Sequence, residues 1–217
     1  MAPDPADGAP AAGNPARVPR LPQQARSRER VRRLLEAADQ VLATEGFGAL
    51  TVRRLAEQAD VPVGTIYQFF TDKRAVVDAL ARRYIAEFDT MIEALVDAAE
   101  SEKWDDVVEV IIDSAIVMYR SHPGYLAIWT GRHLSPELQQ VDDVNNAAIA
   151  AGLRRILVAQ YGLVDDEHLA LQCRVAVQTT DSLLQLAFRL DPEGDGAILA
   201  EAKRLQRLYL EDMVTPS

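Results

Sequence analysis

The chain has little of what several common protein classes require. One cysteine, Cys173, among 217 residues leaves no partner for an intramolecular disulfide and no set of thiolates for a metal. No run of eighteen apolar residues occurs, which argues against a helical membrane span. The three histidines, His122, His133 and His168, lie in separate contexts, and the chain has no H-E-x-x-H, no Gly-rich phosphate loop and no G-x-S-x-G elbow. No catalytic residue, cofactor or metal site is therefore predicted, and the chain is not read as an enzyme. The first residues, "MAPDPADGAPAAGNPARVPRLPQQ", lack the apolar stretch of a signal peptide and hold six of the eleven prolines. Residues 1–23 are expected to be a disordered Pro/Ala-rich tail, and a single cysteine without an export signal places the chain in a reducing cytoplasm.

Acid outweighs base, with 33 Asp and Glu against 23 Lys and Arg for a net charge of −10. The imbalance is uneven. Residues 1–85 hold 13 basic and 10 acidic side chains, a balance of +3, whereas residues 86–217 stand at −13. An acidic body repels anionic surfaces in general, while a basic N-terminal part can still dock on phosphate locally.

Apolar spacing is helical throughout, and alternating strand patterns are nearly absent, so the predicted class is all-α. Val31, Leu34, Leu35, Ala38, Val41 and Leu42 mark one amphipathic helix closed by Gly46. Thr51 is an N-cap for the two-turn helix "VRRLAEQA". A tight turn at Asp60 leads to a short helix with Pro62 in its first turn, running to Phe69. Thr71 or Asp72 caps a long helix from Lys73 to about Ala99, and further helices are predicted near 104–120, 123–131, 137–161, 167–190 and 195–213.

The stretch "VPVGTIYQFFTDKR" (61–74) stands out, because a helix this short has no obvious use for a glycine, three aromatics and a cationic end together. Arg53 and Arg54 fall in the first turn of the second helix, and Lys73 and Arg74 in the first turn of the fourth. Positive charge there opposes the helix dipole at a cost of roughly 0.3–1 kcal/mol each. Free N–H groups plus cations at helix starts suit anions, and a duplex supplies phosphates at regular intervals. Arg20, Arg26, Arg28, Arg30, Arg32 and Arg33 lie just upstream. Two helices joined by a tight turn, the second starting with small residues, form a helix-turn-helix whose second helix can enter a major groove. Gly64 then permits close approach, Thr65 and Gln68 reach base edges or phosphates, Val63 touches a thymine methyl, and Tyr67 meets phosphate. Ile66, Phe69 and Phe70 turn inward against Val41, Leu42, Phe47 and Leu55.

Residues from about Arg28 to Val77 resemble the N-terminal DNA-binding domain of the TetR family of transcriptional regulators. The resemblance is carried by "AA" and "GF" in the first helix, "T-V-x-x-L-A" in the second, and "V-P-V-G-T-I-Y-Q-F-F-x-D-K". It covers about a quarter of the chain. It implies a helix-turn-helix DNA-binding domain, here residues 24–72, with Thr51, Thr65, Tyr67 and Lys73 at DNA-contacting positions and Lys73 on a phosphate. It also implies that residues 73–217 form a larger helical domain that dimerises and encloses a small-molecule pocket. The partners so implied are an operator duplex, bound as an inverted repeat, a small effector and a second copy of the chain, with no membrane. A helix-turn-helix reused as a protein-interaction module is the alternative, which leaves the cationic helix starts unexplained.

The acidic half has no comparably specific motif. Soft and aromatic residues gather in its middle, and Phe88, Met91, Trp104, Tyr119, Tyr125 and Trp129 are predicted to contact a ligand, with Arg132 or His133 beside the "SHPG" kink supplying a polar contact. The helix near 167–190 carries small and apolar residues at steps of four and three, including Ala176, Thr180, Leu183 and Ala187, and the last helix offers Leu205 and Leu208. These are predicted to form a four-helix seam between two chains.

Overall fold

The computed structural model describes residues 23–130 and 136–215, and among them the chain is helical with no strand. The described residues form nine helices, in order α1 Gln23–Glu45, α2 Val52–Gln58, α3 Val63–Tyr67, α4 Lys73–Ser101, α5 Val107–Ser121, α6 Tyr125–Thr130, α7 Pro136–Tyr161, α8 Glu167–Leu190 and α9 Gly196–Val214. The Pro/Ala-rich tail, Arg132 and His133 lie outside the described residues. No described helix is long and apolar enough to cross a membrane.

Side-chain caps fix most of the starts. Thr51, Asp72, Asp106, Asp166 and Asp195 each accept a hydrogen bond from a backbone N–H two or three residues on, a contact worth about 1 kcal/mol apiece. These caps explain small departures from the expected bounds. α5 begins at Val107 rather than 104 because Asp106 caps it, and α6 begins at Tyr125, after the Pro123–Gly124 turn. Pro62 stands just before α3 in extended conformation, its carbonyl accepting from Thr65 N–H at 2.8 Å. Gly46 ends α1 at φ +80°, donating to Leu42 O at 3.1 Å, a backbone state with little cost only for glycine.

Two apolar clusters organise the molecule. The first joins α1, α2 and α3 to the first half of α4, to α6 and to the C-terminal end of α8; Leu42, Leu55, Ile66, Leu80, Tyr84 and Ile128 are fully enclosed in it. The second joins the far half of α4 to α7 and the start of α8 through Val96, Ile156, Leu157 and Cys173. α4, at 29 residues and roughly 43 Å long, runs through both. It crosses α7 closely at Gly152, where a Cβ would come within 2.1 Å of Ile92 Cγ2. The result is an N-terminal helix-turn-helix unit standing on a larger helical body, with α4 common to both.

Candidate DNA-binding surface and internal cavity

A five-residue helix cannot hold itself together in water. α3 is held by Ile66, fully buried, and by Phe70 just beyond it, both in the first cluster with Leu55 of α2. The turn between α2 and α3 passes through Asp60 at φ 50°, and Val61 N–H returns to Ala56 O at 3.0 Å. Aspartate tolerates this left-handed state better than most residues. With Ile66 turned inward, the opposite face of α3 must face solvent. Val63 (40% exposed) and Tyr67 (57%) lie there with Gly64 and Gln68, while Thr65 is half-buried. A Cβ on Gly64 would meet nothing within 4 Å, so no internal contact explains a glycine that costs about 1 kcal/mol in a helix.

The predicted cations prove unequal. Arg53 is the open one, its side chain 85% exposed and only 3.7 Å from Glu57. Arg54 is not the free cation its position suggests. Glu45 holds its Nε at 2.9 Å and Nη2 at 2.7 Å, and Nη2 also donates to Gln58. That bonding keeps the Glu45 carboxyl below its ordinary range and ties α2 to the end of α1. Lys73 donates to Phe47 O at 2.6 Å and lies 4.2 Å from the centre of the Phe47 ring. Partial burial lowers its pKa. Its ammonium thus anchors α4 beside the α1–α2 turn, with two further N–H donors on the same nitrogen. Thr51 spends its oxygen on the Arg54 N–H cap and keeps its O–H as a donor. Upstream, Arg32 and Arg33 pair with Glu29, whereas Arg26, Arg28 and Arg30 are exposed and form no ion pair among the described residues.

The helical body encloses a cavity of about 110 Å³ between α4, α5, α6, α7, α8 and α9. Four of the predicted ligand residues line it: Phe88, Met91, Tyr119 and Tyr125. Two do not. Trp104 is half-buried against the second cluster, its Nε1 donating to Glu102 at 3.0 Å. Trp129 is buried in the first cluster, edge-on to Tyr125, its Nε1 without an acceptor among the described residues. The sequence reading missed Asn146, Asp181 and Gln206, which supply most of the cavity's polarity. Ala176 and Thr180, expected at a chain-to-chain seam, line this cavity instead, and Ala187 is fully buried in the first cluster. Ala176, Thr180 and Ala187 therefore face the chain's own interior, while Thr179 and Ser182 are exposed, and polar Thr180 and Asp181 within an apolar stripe were the signal available. Leu183 is half-buried; Leu205 (45%) and Leu208 (50%) are exposed and, with Val175 and Leu190, form an apolar outer face on α8 and α9.

A polar joint connects the two parts. Asp39 of α1 accepts from the Tyr84 hydroxyl of α4 and, at 3.1 Å, from Gly124 N–H of the α5–α6 turn. A Cβ at Gly124 would fall 2.6 Å from Asp39 O, so the turn sits directly on α1. His122 pairs with Glu87, and its ring lies 5.0 Å from Tyr84. Tyr84 then meets Tyr125 at 5.4 Å, and Tyr125 lines the cavity.

A helix-turn-helix with an exposed, glycine-bearing second helix, set on a helical body with an internal cavity, defines a DNA-binding regulator. Comparison with known proteins agrees. Residues 34–80 match the family described as bacterial regulatory proteins, tetR family, and residues 102–214 match the tetracyclin repressor-like C-terminal domain. The chain is 25% identical to the HTH-type transcriptional regulator BetI 2 of Chromohalobacter salexigens over 190 residues, covering 86% of this chain and 89% of that one. A TetR-family regulator from Streptomyces coelicolor is similar in structure, at 33% identity and TM-score 0.60, covering 87% of this chain and 99% of that one. The transcriptional regulator FadR from Bacillus subtilis, solved in complex with stearoyl-CoA, shares the fold at 22% identity and TM-score 0.62, covering 85% and 97%. The chain belongs to the TetR family of DNA-binding transcriptional regulators.

Proposed function

We propose that the protein is a cytoplasmic, ligand-responsive repressor that binds an inverted-repeat operator as a homodimer and leaves it when a small molecule fills the cavity. The observation that carries this is the outer face of α3, where Gly64 leaves open space between Val63, Tyr67 and Gln68 with Arg53 beside it. In this arrangement Val63, Gly64 and Gln68 read base edges, with Thr65 at their margin. Tyr67, Arg53, Thr51 and Lys73 serve phosphates. Exposed Leu205 and Leu208 join a second copy across the α8–α9 face, giving the two-fold symmetry that a palindromic site requires. Ligand control is supported by the cavity's position against α4, whose first residue, Lys73, bonds to Phe47 O in the turn before α2. The ligand must prefer the conformation whose two recognition helices are wrongly spaced, and coupling of about 1–3 kcal/mol lowers operator affinity roughly 5- to 150-fold.

The test begins with selection of bound sites from random duplexes at stated salt, where an inverted repeat is expected. Gly64→Leu is then compared with the unsubstituted chain. Its side chain points into open space and replaces a poor helix former, so thermal stability should hold or rise slightly while affinity for the selected site falls by roughly tenfold or more, as lost close approach requires. Gly64→Leu binding the site as tightly as the parent would remove α3 from the interface.

A further inference from the structure

The cavity wall carries hydrogen-bonding capacity that the chain itself does not use. Gln206 of α9 lines it and is only 8% exposed, and its Nε2 donates to Thr179 Oγ1 at 2.9 Å and to Ala176 O at 3.4 Å. Thr179 has already committed its one hydroxyl proton to the Val175 and Ala176 carbonyls, so its oxygen can only accept from Gln206. That fixes the amide nitrogen on the α8 side and leaves Oε1 on the other. Among the described residues no donor reaches Gln206 Oε1, and neither Thr180 nor Asn146, both in the lining, forms a side-chain hydrogen bond. Buried acceptors are rarely left in this state.

The rest of the wall is mostly hydrocarbon, with Phe88, Ile112, Leu153, Leu157, Leu184 and Met213 in it. Asp181, the charged group of the described lining, already accepts from the Tyr119 hydroxyl at 3.1 Å and from Gln185 Nε2 at 2.6 Å. The groups still open are therefore neutral. A ligand charge brought among them loses its hydration and gains only neutral hydrogen bonds, which do not repay it. Resting on the cavity as the effector site, we propose that its ligand is an uncharged, apolar alcohol whose hydroxyl donates to Gln206 Oε1 while its hydrocarbon body fills the remainder. Size sets the scale, since about 110 Å³ matches a single-ring molecule; an engineered apolar cavity of about 150 Å³ takes benzene.

Four probes share one ring and differ in the head: benzyl alcohol, its isomer anisole, benzylammonium and benzoate. Each is titrated calorimetrically into the full-length chain at neutral pH. Benzyl alcohol should bind at least as tightly as the more apolar anisole, because of the two only the alcohol donates, and roughly tenfold or more tightly than either ion. Gln206→Met keeps the length of the side chain and removes the acceptor. There the ratio of alcohol to anisole affinity should fall by roughly fivefold or more, the lost bond to Thr179 affecting both probes alike. Should that variant fail to fold, the order of the four probes on the unsubstituted chain decides. Anisole binding more tightly than the alcohol, an ion binding as tightly as the alcohol, or a ratio that Gln206→Met leaves unchanged overturns the proposal. In each of those cases the cavity remains a ligand site and only the class falls. Binding of none of the four removes the cavity as an effector site as well, while the operator experiment on Gly64→Leu still stands or falls by itself.

Discussion

Asp39 offers the sharpest test of how the two parts are joined, because one carboxylate oxygen on α1 accepts both from the shared helix α4 and from the α5–α6 turn. Asp39→Ala leaves the Tyr84 hydroxyl and Gly124 N–H without their acceptor. Both groups belong to buried residues, Tyr84 fully so. An orphaned buried donor costs about 1–3 kcal/mol, so the pair could cost about 2–6 kcal/mol. Asp39 itself is half-buried, and the space it vacates admits water to the Gly124 side, which places the loss in the lower part, about 2–4 kcal/mol. Against a total stability of about 5–15 kcal/mol this is a large fraction. For a chain of this size each kcal/mol shifts the melting temperature by about 2–4 °C, so the expected fall is roughly 4–16 °C.

Circular dichroism melts of Asp39→Ala, Tyr84→Phe and the double variant measure this directly. Tyr84→Phe removes one donor together with its need for an acceptor and should cost about 1 kcal/mol. The double variant should then be more stable than the sum of the singles predicts, because Asp39→Ala no longer strands a hydroxyl. Asp39→Asn, which keeps an acceptor oxygen, should fall between parent and Asp39→Ala. Strict additivity of the two single changes, or a melting temperature for Asp39→Ala equal to that of the parent, would refute the claim that this oxygen clasps α1 to α4 and the α5–α6 turn.

Two further outcomes follow from burial. Leu208→Asp places a carboxylate on the exposed apolar face of α8 and α9; if that face joins two chains, desolvating the unpaired charge costs several kcal/mol, so sedimentation should find monomer with helix content retained, and an unchanged dimer would move the interface elsewhere. Cys173 is fully buried, and desolvation pushes its thiol up to about 11 from an ordinary 9.0. Iodoacetamide should therefore leave the native chain unlabelled at neutral pH and label it in urea. Since the folded state holds this proton more tightly, the thiol's contribution to stability is complete below pH 9 and is lost as pH rises towards about 11; native labelling at the unfolded rate would contradict the burial.

The helix-turn-helix was legible because local signals and packing agree there. Thr51 caps α2, Asp60 takes the left-handed turn, Gly46 ends α1, and the inward set of Ile66 and Phe70 forces the remaining face of α3 outward, all within fifty residues of chain. Ion pairing was not legible in the same way. Arg54 meets Glu45 only because α1 and α2 come together in space, so nothing in their spacing distinguishes the tied Arg54 from the open Arg53. The cavity was half legible for a related reason: aromatic enrichment found the α4, α5 and α6 side, but the opposite wall joins Ile149, Leu153 and Leu157 of α7 to Ala176, Thr180 and Asp181 of α8, and the small residues of α8 look in a sequence like a seam for a neighbouring helix. Small residues at steps of four and three show only that something approaches α8 closely. Whether that something is another chain, the chain's own α9 or the emptiness beside Thr180 and Asp181 depends on how α8 is rotated about its axis, and that rotation is set by Cys173, Leu184 and Ala187 seating in the two apolar clusters. Once those three are inward, Ala176 and Thr180 must follow them, and Val175, Leu205 and Leu208 are left on the outside.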